Sequence, residues 1–111
     1  MNQTFLIIGG SSDIGRILTS SLAASGANLI ILARDAERIE HSEQNVEILK
    51  GDALDSNKVE EALEKSLEKG GGKIDGVTNL VGSILIKPPH LMTIDDFREV
   101  IETNLTSAFL T

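Results

Sequence analysis

Four short apolar runs alternate along the chain with longer segments of mixed polarity. The runs cover residues 5–8, 29–32, 46–49 and 76–81. None of them alternates strictly between apolar and polar positions, and such continuous runs are typical of strands that a parallel sheet buries on both faces. The pattern therefore predicts four parallel strands.

The segment after the first run has the spacing of an amphipathic helix. Its apolar side chains recur every three or four positions, which predicts a crossover helix. They are Ile14, Ile17, Leu18, Leu22 and Ala24. Gly26 stands where a glycine commonly ends a helix. The short polar segment 35–40 predicts no more than one or two further helical turns.

Two more helices are predicted from the same kinds of signal. Asp55 and Ser56 are candidate caps for a helix that the glycines at 70–72 end. Its stripe consists of Val59, Ala62, Leu63, Ser66 and Leu67. Thr93 and Asp96 resemble a capping box at the start of a last helix that continues to Thr111. Its apolar positions are Ile94, Phe97, Val100, Ile101, Leu105 and Ala108.

Strands that alternate with crossover helices predict a doubly wound, Rossmann-type α/β fold with right-handed βαβ units. At 111 residues the chain forms one domain, 1–111. The fourth run is apolar enough to need a neighbouring strand on each side, yet no further strand-like run is left in the sequence. We therefore expect a partial sheet, with the rest missing from these residues or supplied by another chain.

Composition and charge exclude several classes of function. Seventeen acidic and ten basic side chains give a formal charge of −7, which repels nucleic acid and anionic membranes. The absence of Cys excludes disulfides and thiolate metal sites and favours the reducing cytoplasm. No signal peptide or membrane span is expected at the N-terminus. His41 and His90 lack partners at ligand spacing, so we interpret them as surface residues and expect no metal site.

The turn after the first run is a candidate phosphate site, because small residues let backbone N–H groups and a helix N-terminus approach an anion. The spacing of Gly9, Asp13 and Gly15 resembles the G-x-x-x-G-x-G loop of the short-chain dehydrogenase/reductase family, with Asp13 in place of the middle glycine. That carboxylate would face phosphate charge unless it turns away or caps the helix. An ordinary strand-to-helix turn is the alternative. The resemblance implies cofactor contacts from Gly9, Ser11, Ser12, Asp13, Ile14 and Gly15.

The residues after the second run bear on the choice of dinucleotide. An acidic residue ending that strand would favour NAD, and Ala33 is not acidic. Arg34 could pair with a 2′-phosphate through its planar fork of donors, so we expect NADP, with NAD possible. Alternatively, Arg34 is a solvated cation beside Asp35.

Polar residues also follow the third and fourth runs. In the family an Asp in the place of Asp52 contacts adenine, and the next side chain, here Ala53, lies beside it. The alternative is that Asp52 forms a turn. Asp55 is the better candidate for the helix cap. The segment 79–82 resembles the family's N-N-A-G. The resemblance implies that Asn79 ties the central sheet together and that Gly82 leaves room for the cofactor ribose.

The last predicted helix is similar to the family helix that supplies the Asn of a catalytic Asn-Ser-Tyr-Lys set. By position that residue is Asn104, whose amide would hold a water that relays protons to the Lys. A helix-surface Asn is the alternative. The catalytic Ser, Tyr and Lys would lie beyond Thr111, and the sequence has no Tyr.

Together these features imply the cofactor-binding half of an NAD(P)-dependent oxidoreductase, with about four of the family's usual seven strands. The resemblance implies hydride transfer between nicotinamide and a small carbonyl or alcohol substrate, and homo-oligomers built on the last helix. This half alone should bind dinucleotide weakly and be inactive. Two alternatives are a non-catalytic or split dinucleotide-binding subunit, and a receiver-type signalling domain phosphorylated on Asp52.

Overall fold

The sheet has four parallel strands in the order β3-β2-β1-β4. The computed structural model describes residues 3–39, 45–82 and 86–111, so His41 and Glu40 lie outside the described residues. The strands are β1 (Thr4–Ile8), β2 (Asn28–Ala33), β3 (Val46–Lys50) and β4 (Gly76–Asn79). The Rossmann-type arrangement predicted from the sequence is confirmed. Within the described residues, β4 pairs only with β1 and forms an edge of the sheet.

Both faces of the central strands are buried, as the continuous apolar runs predicted. On one face, alternate residues of β1 and β2 pack with the helix that follows β3; this core consists of Leu6, Ile8, Ile30, Leu32, Ala53, Val59 and Ala62. On the other face they pack with the helix that follows β1; this core consists of Ile7, Ala23, Ala27, Leu29, Ile31, Ala33 and Ile39. The carboxyl edge of the sheet, beyond these packed faces, is where the segments that follow the strands lie.

Helix α1 (Asp13–Ala24) leaves exposed two of the apolar side chains that its sequence pattern predicted to face the core. Ile14 and Ile17 are 69% and 72% exposed, whereas Gly15, Thr19 and Ala23 face the sheet. The reason is close approach: a Cβ on Gly15 would lie 2.7 Å from the carbonyl oxygen of Gly10, so only a face of small residues at i, i+4 spacing fits. Leu18 and Leu22 fill the flanks of that contact. Gly26 lies just after the end of α1 with φ of +86°, and the sequence had predicted a helix-ending glycine there.

Helix α2 (Ser56–Lys69) begins and ends where the sequence predicts. Asp55 is its N-cap, and the Asp55 side chain accepts a hydrogen bond from Asn57 N at 3.0 Å. Val59, Ala62 and Ser66 are its buried residues. Lys65 on this helix forms an ion pair with Glu47 of β3, which raises the pKa of the lysine. This face of α2 is held by charge pairs at the surface and by apolar contacts beneath.

The C-terminal helical region begins with the predicted capping box. The Thr93 hydroxyl accepts from Asp96 N, and the Asp96 carboxylate accepts from Thr93 N, both at 3.0 Å. Lys87 also donates to Asp96 at 2.8 Å. These donors lower the pKa of Asp96 to about 2, and the ammonium of Lys87 has the largest effect. The cap therefore fixes both the helix start and the segment before it.

The predicted uninterrupted helix is divided into three parts. Helix α3 (Ile94–Ile101) and helix α4 (Ser107–Leu110) flank a π-helical stretch, Glu102–Thr106. Side chains compete with the backbone here: Asn104 Nδ2 donates to the Val100 carbonyl at 3.0 Å, and Ser107 Oγ donates to the Thr103 carbonyl at 2.6 Å. Bonds of this i−4 type disturb regular helices. The described helices include none long and apolar enough to cross a membrane.

Candidate functional site

A cleft of about 350 Å³ opens at the carboxyl edge of the sheet, where the strand order reverses between β1 and β4. In open α/β sheets ligands bind at this position. The segments that follow all four strands contribute to it, together with one face of α3 and the π-helical stretch. The lining residues are Gly9, Ser11, Ser12, Leu32, Arg34, Asp35, Arg38, Gly51, Asp52, Ala53, Leu54, Leu80, Val81, Gly82, Glu99 and Thr103.

The turn after β1 is built from backbone in close contact with its surroundings. Gly9 has φ of +84°, and a Cβ there would lie 2.9 Å from Val81 Cγ2. A Cβ on Gly10 would lie 2.3 Å from Ile31 Cγ2. Any larger residue at either position would displace the turn. Sequence reasoning did not single out Gly10, although it directly follows the first motif glycine.

Helix α1 points its N-terminus toward this turn, and Ser12 caps it. Ser12 Oγ accepts a hydrogen bond from Gly15 N at 3.0 Å. Asp13 is the first helical residue, its side chain is 86% exposed, and it forms an ion pair with Arg16. Of the two expectations for Asp13, the carboxylate turns away and does not cap the helix. The helix N-terminus therefore faces the cleft with a hydroxyl nearby and without an unpaired carboxylate.

Two arginines line the side of the cleft that follows β2. Ala33 is buried in the sheet, and Arg34 is the first exposed residue beyond it. Arg38 follows in a single 3₁₀ turn, Ala36–Arg38, which is the helical turn expected in this polar segment. Asp35 lies between them along the chain and also lines the cleft. Arg34 was predicted from the sequence and Arg38 was not, because only the 3₁₀ turn brings it back to the cleft.

Asp52 makes the turn that was one of its two expected roles, and it also lies at the cleft. Its Oδ1 accepts from Leu54 N at 2.9 Å, which makes the predicted turn, and the residue also lines the cleft. Ala53 is buried against α2 while contributing to the cleft wall. One carboxylate oxygen of Asp52 is thus fixed by the turn.

Asn79 lies behind the cleft and organises its wall. Its Oδ1 accepts from Val81 N at 2.9 Å, and its Nδ2 donates to Ser107 Oγ at 3.5 Å. The first bond explains why β4 ends at Asn79 although the apolar run continues to residue 81: the side chain takes a backbone donor beyond the strand. The second bond joins β4 to the buried start of α4. These two hydrogen bonds of Asn79 therefore hold the start of the cleft-lining segment, which runs from Leu80 to Gly82.

Asn104 lies in the π-helical stretch, next to the cleft rather than among the residues that line it. Its Oδ1 would be 3.2 Å from a Cβ on Gly82. Short π-helical segments are frequent at functional sites. Glu99 and Thr103, which sequence reasoning missed, project from the same helical region into the cleft. Residues four positions apart lie on the same face of a helix, and this spacing was the signal that could have placed Glu99 and Thr103 together.

The comparison with known proteins decides the family. The family model for short chain dehydrogenase matches residues 3–111. The chain belongs to the short-chain dehydrogenase family. A tropinone reductase homologue of Arabidopsis thaliana is 32% identical over 117 residues, covering 98% of this chain and 43% of that protein. The receiver-domain alternative is therefore wrong.

Solved short-chain dehydrogenases share the fold. One from Leptospira borgpetersenii with bound NAD⁺ has a TM-score of 0.85 and 27% identity, covering 99% of this chain and 43% of that chain. The 3-ketoacyl-(acyl-carrier-protein) reductase of Brucella melitensis complexed with NADH has a TM-score of 0.84 and 25% identity, covering 97% and 46%. This chain thus spans less than half the length of these relatives.

In this member of the family the predicted site residues fall into two groups. Seven line one cleft: Gly9, Ser11, Ser12, Arg34, Asp52, Ala53 and Gly82. The other five lie outside the lining: Asp13, Ile14, Gly15, Asn79 and Asn104. Ile14 is 69% exposed and belongs to neither of the two cores described above. Seven of the twelve predicted residues thus lie together at one cleft, and the other five do not line it.

Proposed function

We propose that residues 1–111 form the dinucleotide-binding half-domain of an NADP-preferring oxidoreductase that transfers hydride between nicotinamide and a carbonyl or alcohol carbon. The observation behind this proposal is the convergence of a glycine turn, a capped helix N-terminus and a basic segment on one cleft. The cofactor, when bound, supplies the hydride chemistry. The chain's own residues bind and orient it.

The residues present fit a pyrophosphate. Side chains are excluded at Gly9, Gly10 and Gly15, so phosphate oxygens can approach backbone N–H groups directly. Ser11 and Ser12 add polar groups on the cleft wall. We assign the pyrophosphate to this turn.

The adenosine end is assigned to the walls that follow β2 and β3. Asp52 and Ala53 would flank the adenine, and Gly82 would leave room for a ribose on the opposite wall. The Ala33 side chain has no acceptor for a ribose hydroxyl, whereas the Arg34 guanidinium can bind a 2′-phosphate. This residue pair supports NADP, although the solved relatives described above contain NAD⁺ and NADH.

Asn104 is proposed to hold the proton-relay water of the family's catalytic set. Its position beside Gly82, at the wall where the nicotinamide half would lie, supports this role. The 111 residues contain no Tyr, so the phenol of that set is not supplied by this segment. We expect these residues by themselves to bind dinucleotide without turning over substrate.

The open edge of β4 and an apolar helix surface favour completion by further polypeptide. In the described residues β4 has a partner on one side only, and Val77 is 42% exposed. Exposed apolar side chains continue along the C-terminal helices: Ile94, Phe97, Ile101, Leu105 and Phe109. Two kinds of assembly would use this surface: a split subunit that a second chain completes, and a homo-oligomer. A cytoplasmic location is a further prediction, resting on the lack of Cys.

Nicotinamide fluorescence provides the decisive test. The chain has no Trp or Tyr, so NADPH and NADH can be titrated with the protein without interfering emission. We expect both to bind, with NADPH tighter, and Arg34→Gln to weaken NADPH alone. Absence of binding by either dinucleotide would contradict the proposed site. An intact mass near 11.9 kDa for the protein isolated from its source would favour the split subunit.

A further inference from the structure

The first turn of α1 contains an ion pair beside the cleft. Ser12, which lines the cleft, is followed directly by Asp13, the first residue of the helix. The Asp13 carboxylate pairs with the guanidinium of Arg16, three residues later. The two side chains are 86% and 44% exposed, and exposed ion pairs contribute little to the free energy of unfolding. The stability of the fold therefore does not account for this pair.

The position of Arg16 is unfavourable for the helix by itself. The positive end of a helix dipole lies at the N-terminus, where carboxylates stabilise the helix and cations do not. Arg16 is the fourth residue of α1, and its backbone N–H donates to the Ser12 carbonyl at 2.9 Å. The arginine thus lies within one turn of the positive end, and its contact with Asp13 compensates for that placement.

The charged side chains that line the cleft leave no surplus of positive charge. Among the described residues the lining has two cations and three carboxylates: Arg34, Arg38, Asp35, Asp52 and Glu99. An anionic ligand therefore gains little from the net charge of the lining and depends on backbone N–H groups at the start of α1. A free carboxylate in the first turn would compete for these donors, because short acidic side chains bind backbone N–H groups at helix starts.

We propose that Arg16 acts through Asp13 as a positioning residue for dinucleotide binding. The guanidinium cancels the charge of the carboxylate and holds it on the exposed side of α1, so the N–H groups of the first turn stay free for a pyrophosphate. Arg16 does not line the cleft, so it acts without touching the ligand. This inference rests on the proposed function and adds to it a residue outside the cleft wall.

Fluorescence titration of NADPH and NADH at low ionic strength tests the role of Arg16. We expect Arg16→Gln to weaken both dinucleotides about two- to fivefold, the effect of one charge in the first turn of a helix. The factor should be similar for both because both carry the pyrophosphate, whereas Arg34→Gln should affect NADPH alone. Adding Asp13→Asn to Arg16→Gln should restore binding, and Arg16→Lys should retain it. At about 0.5 M salt the loss should shrink, because exposed charges are screened.

Lys73→Gln is the matched control. Lys73 pairs with Asp75 at 3.3 Å just before β4, at the edge of the sheet opposite the cleft. Its replacement changes the net charge equally and also leaves a carboxylate without its cation, and dinucleotide binding should be unchanged.

The outcomes separate this inference from the proposed function. If Arg16→Gln binds like the parent or like Lys73→Gln, or loses affinity for NADPH alone, Arg16 has no such role while dinucleotide binding stands. If Asp13→Asn does not restore binding, the effect does not act through Asp13 and the inference is wrong. If the parent chain binds neither dinucleotide, the proposed function and this inference are both wrong.

Discussion

A Cβ atom on Gly82 would lie 3.2 Å from the side-chain oxygen of Asn104. The cleft wall after β4 and the π-helical stretch therefore meet at a point where one residue has no side chain. Asn104 Nδ2 is also bonded to the Val100 carbonyl, so the amide has little freedom to move away. The position of Asn104 is thus set by both its own helix and the strand end opposite.

Gly82→Ala is expected to displace the Asn104 amide and weaken NADPH binding about threefold, since a contact of this length requires a neighbour to shift. The Asn104 side-chain amide resonances in a ¹H–¹⁵N spectrum should move in the same variant. The double variant Gly82→Ala with Asn104→Ala tests the cause. If the two substitutions add without coupling, the contact does not operate as described.

Gly15→Ala should destabilise the chain by about 1–3 kcal/mol, because the added methyl would overlap the Gly10 backbone, which cannot rotate away like a side chain. Denaturation followed by far-ultraviolet circular dichroism measures the change. Ala24→Gly in the same helix is a useful comparison, since its exposed position costs only helix propensity. A Gly15→Ala protein as stable as the parent would mean that α1 is not seated on the turn.

Thr19→Val is expected to stabilise the chain by about 1 kcal/mol. Thr19 is fully buried in α1, and its hydroxyl has no hydrogen-bond partner in the described structure. Valine keeps the shape and removes the unsatisfied polar atom. Thr19→Ser, which keeps the hydroxyl and removes the methyl, should be destabilising. Loss of stability in the valine variant would reveal a partner for the hydroxyl.

The cap at Asp96 should make a pH-dependent contribution to stability. The folded-state pKa is about 2, below the ordinary 3.8, so the contribution is fully present above about pH 4 and is lost as pH falls toward 2. Carboxyl resonances followed by NMR should show the low pKa, and Lys87→Met should raise it, because the Lys87 ammonium is the main cause. Lys69→Met, a lysine without an ion pair in the described residues, should leave it unchanged. An Asp96 carboxyl that titrates at its ordinary pKa would contradict the observed contacts.

Local signals predicted much of this structure. Strand burial follows from continuous apolar runs, and the caps at Asp55 and Thr93 involve residues two or three positions apart, so the sequence displays both partners together. The glycine turn was also recognisable, because a short motif encodes a short piece of backbone. The doubly wound topology then follows from the alternation of these elements.

Features that depend on contact between distant segments were not predictable in the same way. The stripe through Ile14 and Ile17 is more apolar than the face through Gly15, yet the smaller face packs because the backbone of Gly10 lies against it. Apolar periodicity measures side-chain chemistry and does not measure how closely two backbones must approach. The π-helical stretch and the end of β4 likewise depend on side-chain bonds to main-chain groups, which no periodicity records.

The contacts of Gly9 with Val81 and of Gly10 with Ile31 have a consequence for how this site could change over time. Ligand selectivity in most pockets is adjusted by exchanging side chains, but the turn at Gly9 and Gly10 offers none to exchange. Cofactor preference can instead change at the rim, where the exposed residues at 34–38 can be replaced without disturbing the sheet. A turn that resists substitution and a rim that tolerates it both follow from the way the first two strands end.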